Sequence, residues 1–204
     1  MMYQAKEEGK NGIKIPNERD ISNILKTNQE KSSLLIRAIE NDEIYPYFQP
    51  IKPASASNKL VIHELLMRIH QDGKIVSAYE FIEIAEARGL INNMDLMVIE
   101  KAFKEIQRTQ YEGILFINLS PKSLIVGDFI NKINAFVLKY EINKEKIVFE
   151  ITERETVKNF SLLEKFVHNL KSDGYKFAID DFGSGFSSFH YIKKFPIDYV
   201  KIDG

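Results

Sequence analysis

The stretch Lys176–Gly204, KFAIDDFGSGFSSFHYIKKFPIDYVKIDG, decides the fold. It reads as an apolar strand from Lys176 to Ile179 that ends in two adjacent acids, Asp180 and Asp181. A Gly-Ser-Gly loop at Gly183, Ser184 and Gly185 and a short amphipathic segment lead to a second strand, Tyr199 to Ile202, which carries Lys201 and runs into Asp203. Both strands therefore deliver polar residues at their C-terminal ends. In an α/β barrel those ends build the face where active sites lie, and consecutive carboxylates there suit divalent cations better than they suit packing. Asp-Asp beside glycine also reads as a solvated turn, so the upstream strands have to decide between the two.

Working upstream, the strand Lys146 to Ile151 runs apolar into Glu150 and is followed by Thr152 and Glu153. A helix from Phe160 to Leu170, closed near Gly174, joins it to the stretch above. The strand before, Ile114 to Leu119, is apolar until Asn118 and stops at Ser120-Pro121, because proline removes a ladder donor and keeps the preceding residue extended. A helix from Asp128 to Tyr140 follows it. Earlier still, Leu60 to Ile69 places Glu64 inside a run of Val61, Ile62, Leu65, Leu66 and Met67. A carboxylate there costs several kcal/mol unless it is paired, bound to a cation or turned to water at a strand edge. Arg68 shares its side of the strand and is suited to an anionic ligand. The first strand is Tyr45 to Ile51, entered from a helix over Lys31–Asp42 with a stripe of Leu34, Leu35, Ala38 and Ile39. A polar loop, Gln71–Ser77, and helices Ala78–Ala87 and Met94–Gln107 fill the remainder. Strand–helix alternation of this kind winds into a parallel sheet or barrel, so the fold class is α/β, a TIM-like (β/α) barrel. Glu64, Asn118, Glu150, Asp180, Asp181 and Lys201 gather on its C-terminal face.

Composition narrows the chemistry. The chain has 204 residues, 44% hydrophobic and 28% charged, enough for a packed core. A net charge of −1 gives no field for a nucleic-acid polymer, and no run of about 18 apolar residues predicts a membrane span in this region. With no cysteine, and four histidines in no metal-binding spacing, oxygen ligands are the expected metal chemistry, which puts magnesium, manganese or calcium before zinc. The absence of cysteine and of a signal-like start agrees with a soluble cytoplasmic domain, in a parent that an N-terminal region elsewhere could tether to a membrane.

From about Leu34 to Asp203 the chain resembles the EAL domain, the phosphodiesterase that opens cyclic di-GMP to the linear dinucleotide pGpG. The resemblance rests on Phe48-Gln49-Pro50, Glu64-Leu65-Leu66 with Arg68, Asn118-Leu119-Ser120-Pro121, Glu150-Ile151-Thr152-Glu153, Asp180 to Gly185, and Lys201-Ile202-Asp203, in the family's order. Leu65 replaces the middle Ala of the signature tripeptide, which is not a ligand in the family's scheme, and Phe186 replaces a usual Tyr, a similarly mild departure. The resemblance implies that Glu64, Asn118, Glu150 and Asp180 hold a first divalent cation and that Asp181 helps hold a second, with Mg2+ or Mn2+ active and Ca2+ inhibitory. Glu64, Asp181 and Lys201 would be the catalytic groups, Lys201 beside the attacking water and the phosphate. Glu153 and Asp203 would support the metal site and its loop, Gly183 and Gly185 would let that loop reorder, and Gln49 and Arg68 would contact the nucleotide.

Residues 1–15 resemble the end of a GGDEF (diguanylate cyclase) domain through Tyr3, Ala5, Lys6, Gly9 and Asn11, an ordinary N-terminal helix being the alternative. Residues 16–30 read as a polar linker and 31–204 as a partial EAL domain, with an upstream GGDEF domain and an EAL homodimer as the implied protein partners. The family continues past Lys201-Ile202-Asp203 with two further β-α units carrying a Glu and a Gln. The expectation is therefore a barrel incomplete at its C-terminal end, and a chain inactive alone. Two other readings stay open: a module that binds cyclic di-GMP or a protein without turnover, and an unrelated metal-dependent barrel.

Overall fold

The computed structural model describes residues 18–52, 60–125, 128–158, 160–183 and 195–202. The GGDEF-like residues 1–15, Gly185, Asp203 and the amphipathic segment after Gly183 lie outside the described residues. One sheet organises the molecule, in strand order β1 (Ile44–Ile51), β2 (Ile62–Gln71), β4 (Ile114–Asn118), β5 (Ile147–Thr152), β6 (Lys176–Phe182), β7 (Tyr199–Ile202), with β3 (Lys74–Ser77) hanging on β2. Pairing from β2 through β4, β5 and β6 to β7 is parallel, as the alternation predicts. β1 and β3 both run antiparallel to β2, so these two strands depart from the strand–helix alternation. Among the described residues β1 and β7 stand at the two ends of the strand order, and the barrel is not closed.

The helices are α1 (Glu18–Glu40), α2 (Ile82–Ala87), α3 (Ile91–Thr109), α4 (Pro121–Ile125), α5 (Phe129–Lys139), α6 (Glu153–Lys158) and α7 (Phe160–Ser172). The linker reading of 16–30 needs correction over its helical part, because α1 begins at Glu18 rather than Lys31. Residues 26–30 are exposed and contain no apolar side chain, so the apolar periodicity is interrupted there although the helix runs through. The loop reading of 71–77 is also corrected. Asp72 (φ 51) and Gly73 (φ 74) form the left-handed pair of a tight hairpin turn, and Lys74–Ser77 returns along β2.

Two apolar layers result. The larger lies between sheet and helices and includes Leu35, Ile69, Phe81, Met94, Ile99, Phe103, Ile117, Phe129, Phe149 and Phe177. Leu65 belongs to this layer, on the opposite side of β2 from Glu64, so the altered signature position is a packing position. The smaller layer lies on the inner face: Ile114, Phe116, Val148 and Ala178, with Ile51, Ile62 and Tyr199 against them. It forms the floor on which the polar residues stand.

Candidate functional site

Each inner strand steps from floor to mouth in two residues, because side chains alternate faces with period two. Ile62 gives way to Glu64, Phe116 to Asn118, Val148 to Glu150, Ala178 to Asp180 and Tyr199 to Lys201. The register staggers the strands: Asn118 pairs with Glu150, but Glu64 pairs with Phe116 of the floor and Asp180 with Thr152, one step of the pleat beyond Glu150. Local chemistry ends the strands at this height. Ser120 accepts a hydrogen bond from the Lys122 amide (3.3 Å) and Pro121 opens α4, a start that turns the chain out of the sheet after Asn118. Thr152, the last residue of β5, accepts from the Glu155 amide (3.3 Å), and α6 starts at the next residue.

The polar ends converge on one point, the ammonium of Lys201. Its Nζ lies 3.2 Å from Glu64 Oε2, 3.0 Å from Glu150 Oε2 and 3.2 Å from Asp180 Oδ1. Asn118 Nδ2 donates to the other oxygen of Glu64 at 2.8 Å. Glu150 is fully buried, and burial pushes its carboxyl up to about 8, with Glu64 and Asp180 adding to the rise and Lys201 opposing it. Burial works against the charge of Lys201, yet Glu150, Glu64 and Asp180 together hold it above the ordinary lysine range. Three formal negative charges thus face one positive charge. Glu150 Oε2 accepts no hydrogen bond of good geometry although the ammonium is 3.0 Å away.

The donor set fits a hard cation: carboxylate and amide oxygens, excess negative charge and a buried oxygen short of partners. Among the described residues, however, no group of three or more acidic or histidine side chains is posed as a ready cage, because Lys201 stands where the carboxylates meet.

The remaining predicted residues are placed as follows. Glu153 is buried, accepts from the Gly183 amide at 3.0 Å through Oε2, and keeps Oε1 without a hydrogen-bond partner. It therefore holds the start of the loop after β6, where Gly183 has φ 99. Asp181 is exposed with φ 54, in the irregularity where pairing of β6 with β7 shifts between Ile179 and Phe182, so it stands apart from the buried cluster. Gln49 pairs in register with Glu64 on β1. Arg68 shares Glu64's face but lies four residues on, about 13 Å along the strand, and its Nη1 donates to the Met67 carbonyl at 2.8 Å. The two residues expected at the nucleotide therefore lie along β1 and β2, Gln49 level with Glu64 and Arg68 four residues beyond it.

A second polar group beside the mouth was not foreseen from the sequence. Asp95 of α3 is buried and accepts from Ser123 Oγ at 2.7 Å, and Glu86 of α2 accepts from Ser120 Oγ at 2.8 Å. Burial raises Asp95 to about 7, the Ser123 hydrogen bond opposing and Glu86 adding. Both acids line a cavity of about 290 Å³ that also reaches Asn118 and Glu150. Their sequence signal was weak, since acids on helix faces usually face water.

Comparison with known proteins agrees with this geometry. A family model described as the EAL domain matches residues 34–204. The cyclic di-GMP phosphodiesterase PdeB of Shewanella oneidensis is 36% identical over 205 residues, covering 98% of this chain and 24% of that protein. The cyclic di-GMP phosphodiesterase PdeA of Borreliella burgdorferi is 35% identical over 184 residues, covering 89% of this chain and 28% of that protein. The chain thus spans about a quarter of the length of these relatives. Among solved structures, the FimX EAL domain of Pseudomonas aeruginosa bound to c-di-GMP superposes with a TM-score of 0.77 at 24% identity, over 85% of this chain and 71% of that one.

Proposed function

Because the chain belongs to the EAL domain family, we propose that it is the metal-dependent hydrolytic domain of a cyclic di-GMP phosphodiesterase, opening the cyclic dinucleotide to linear pGpG. The observation that carries this reading is the convergence of Glu64, Glu150 and Asp180 within 3.2 Å of the Lys201 ammonium, above a closed apolar floor. The names of two relatives more than 30% identical give the substrate class.

In this reading Glu64, Asn118, Glu150 and Asp180 hold a first divalent cation, Mg2+ or Mn2+, and Asp181 contributes to a second. Cations held there would supply polarisation of a phosphoryl oxygen and a lowered pKa for the attacking water. The protein's own groups do the rest. Asn118, bonded to Glu64, fixes the direction of that carboxylate. The apolar floor of Phe116, Val148 and Ala178 excludes water from beneath the site and so strengthens every charge interaction in it. Lys201 keeps its proton because of the three carboxylates, and as a fixed positive charge it faces the phosphate and orients the attacking water. Glu153 holds the Gly183 end of the loop, and Gln49 and Arg68 hold the nucleotide along the β1–β2 pair. Ca2+, which accepts looser and larger oxygen shells, would occupy the ligands without the geometry the reaction needs. A cytoplasmic location, an upstream GGDEF domain and a homodimer complete the proposal. It is supported by the absence of cysteine, the residues 1–15 pattern and the family. Among the described residues no helix is long and apolar enough to cross a membrane.

A second reading, recognition of cyclic di-GMP without turnover, is favoured by one observation. The Lys201 ammonium stands where the carboxylates would have to meet a cation. The two readings separate in one assay, in which cyclic di-GMP is incubated with the full protein and Mg2+ or Mn2+, with EDTA as control, and linear product is resolved by chromatography. Product that EDTA abolishes supports hydrolysis. Saturable binding with no product in any cation establishes the binding module, and neither binding nor product overturns both.

A further inference from the structure

Above Gln49 and Glu64 the β1–β2–β3 ribbon presents a face of a different kind. Register and alternation put Tyr45, Tyr47 and Gln49 of β1, Arg68 and His70 of β2, and Ile75 of β3 on the same side as Glu64. Three of these are exposed although apolar or aromatic: Tyr45 39%, Tyr47 36% and Ile75 58%. The rings are ordered against one another. His70 stacks on Tyr45 with centroids 4.4 Å apart and meets Tyr47 edge-on at 5.7 Å, and its Nε2 is 2.9 Å from the Tyr47 hydroxyl. Arg68, held by the Met67 carbonyl, has its Cζ 5.8 Å from the centre of the Tyr47 ring. Tyr45 also has a cation of its own, Lys101 Nζ, 4.5 Å from the ring centre. Tyr45 thus carries both a stacked ring and a cation and serves as backing, whereas Tyr47, with His70 at its edge and the Arg68 guanidinium over the ring, is the ring nearer the mouth, two residues or about 7 Å from Gln49.

We propose that this face is a stacking platform for one purine base of a cyclic dinucleotide whose phosphate lies at the carboxylate mouth. The base lies over Tyr47 with the Arg68 guanidinium along its edge, and the Tyr45–His70 stack fixes the Tyr47 ring from behind. The proposal rests on the cyclic di-GMP reading and adds to it the surface that takes a base. The chemistry favours a flat aromatic ligand over an aliphatic or peptide one. An exposed tyrosine ring paired with a guanidinium offers a π-face and a planar cation together, which nucleobases use for stacking irrespective of their hydrogen-bonding edge. The site lies on the two strands that carry Gln49 and Glu64, so one ligand about the length of a nucleotide can reach both. It also gives Arg68 a role at its observed position, four residues and about 13 Å along the strand from Glu64.

The test uses the full chain and two probes: cyclic di-GMP, and a cyclic dinucleotide in which one guanine is replaced by 2-aminopurine, whose fluorescence is quenched on stacking. The unmutated protein and Tyr47→Phe, which keeps the ring, should both quench the probe and bind cyclic di-GMP alike. Tyr47→Leu should lose most of the quenching and bind cyclic di-GMP about tenfold more weakly, while Mn2+ affinity stays unchanged. Unaltered quenching and affinity in Tyr47→Leu would overturn the platform alone. A protein that binds Mn2+ but neither dinucleotide would overturn the cyclic di-GMP reading and the platform with it. Should Tyr47→Leu fail to fold, the unmutated protein decides: nuclear Overhauser contacts between base protons and the Tyr47 ring support the platform, and contacts to other residues only refute it.

Discussion

The inner face of this sheet is built at two levels that obey opposite rules. At the lower level Ile62, Phe116, Val148, Ala178 and Tyr199 meet in an apolar floor. Two residues further along the same five strands stand Glu64, Asn118, Glu150, Asp180 and Lys201, all but Asn118 meeting at the ammonium. Backbone, register and strand twist are shared, so the contrast belongs to side-chain chemistry alone. The floor gains free energy by leaving water, about 1.5–3 kcal/mol for a fully buried large side chain. The mouth loses free energy the same way: Glu150, fully buried, prefers to hold a proton up to about pH 8. A level that costs stability and is still built from five strands marks a candidate binding site.

The largest expected effect breaks the floor. Phe116, 4% exposed and edge-on to Tyr199 at 5.2 Å, should lose about 3–5 kcal/mol of folding stability as Phe116→Ala, read from urea unfolding. Added Mn2+ should recover little of it, because a cavity is not a missing charge. Lys201→Met breaks the mouth instead. It strands Glu64, Glu150 and Asp180 together, and should cost about 3 kcal/mol without divalent cations. Here Mn2+ should restore most of the loss by supplying positive charge at the same place. Equal rescue of both variants would erase the distinction between the two levels.

A smaller effect sharpens the comparison at Asp95, which is buried like the floor and ionisable like the mouth. Its folded-state value of about 7 lies above the ordinary 3.8, so between those values the folded protein holds a proton that the unfolded chain releases. Stability from this group is therefore lost as pH rises from about 4 to about 7, by up to about 1.4 kcal/mol per pH unit, and is flat above. Asp95→Asn, which can still accept from Ser123, should remove that slope. Glu150 contributes its own decline toward pH 8 in both proteins, so the difference between the two pH–stability curves isolates Asp95. Parallel curves would contradict its buried titration.

These levels differ in how plainly the sequence announces them. Glu150 and Asp180 were legible because each interrupts an apolar run at a strand end, and burial leaves such a residue few explanations. The parallel order of β2, β4, β5, β6 and β7 was legible for a related reason, since strands such as Ile147–Thr152 are apolar on both faces. Short elements were not. Thr152-Glu153-Arg154-Glu155 has the Thr-x-x-Glu form that starts a helix, and α6 starts there, yet six residues carry no periodicity. Asp72-Gly73 similarly announces a hairpin through two residues with positive φ. The Tyr45–Tyr47–His70 face escaped notice because aromatic residues spaced by two on a strand read as core, and only the antiparallel pairing of β1 with β2 shows them together.

The central claim is that the mouth carboxylates form a cation site rather than a closed salt bridge, and calorimetric titration of Mn2+ into the protein at pH 8 tests it most directly. Saturable binding is expected, lost by tenfold or more in Asp180→Asn, with Mn2+-dependent opening of cyclic di-GMP by the full-length protein abolished in the same variant. Arg68→Ala should leave the Mn2+ isotherm unchanged while weakening cyclic di-GMP. Undiminished Mn2+ binding and turnover in Asp180→Asn would contradict the account.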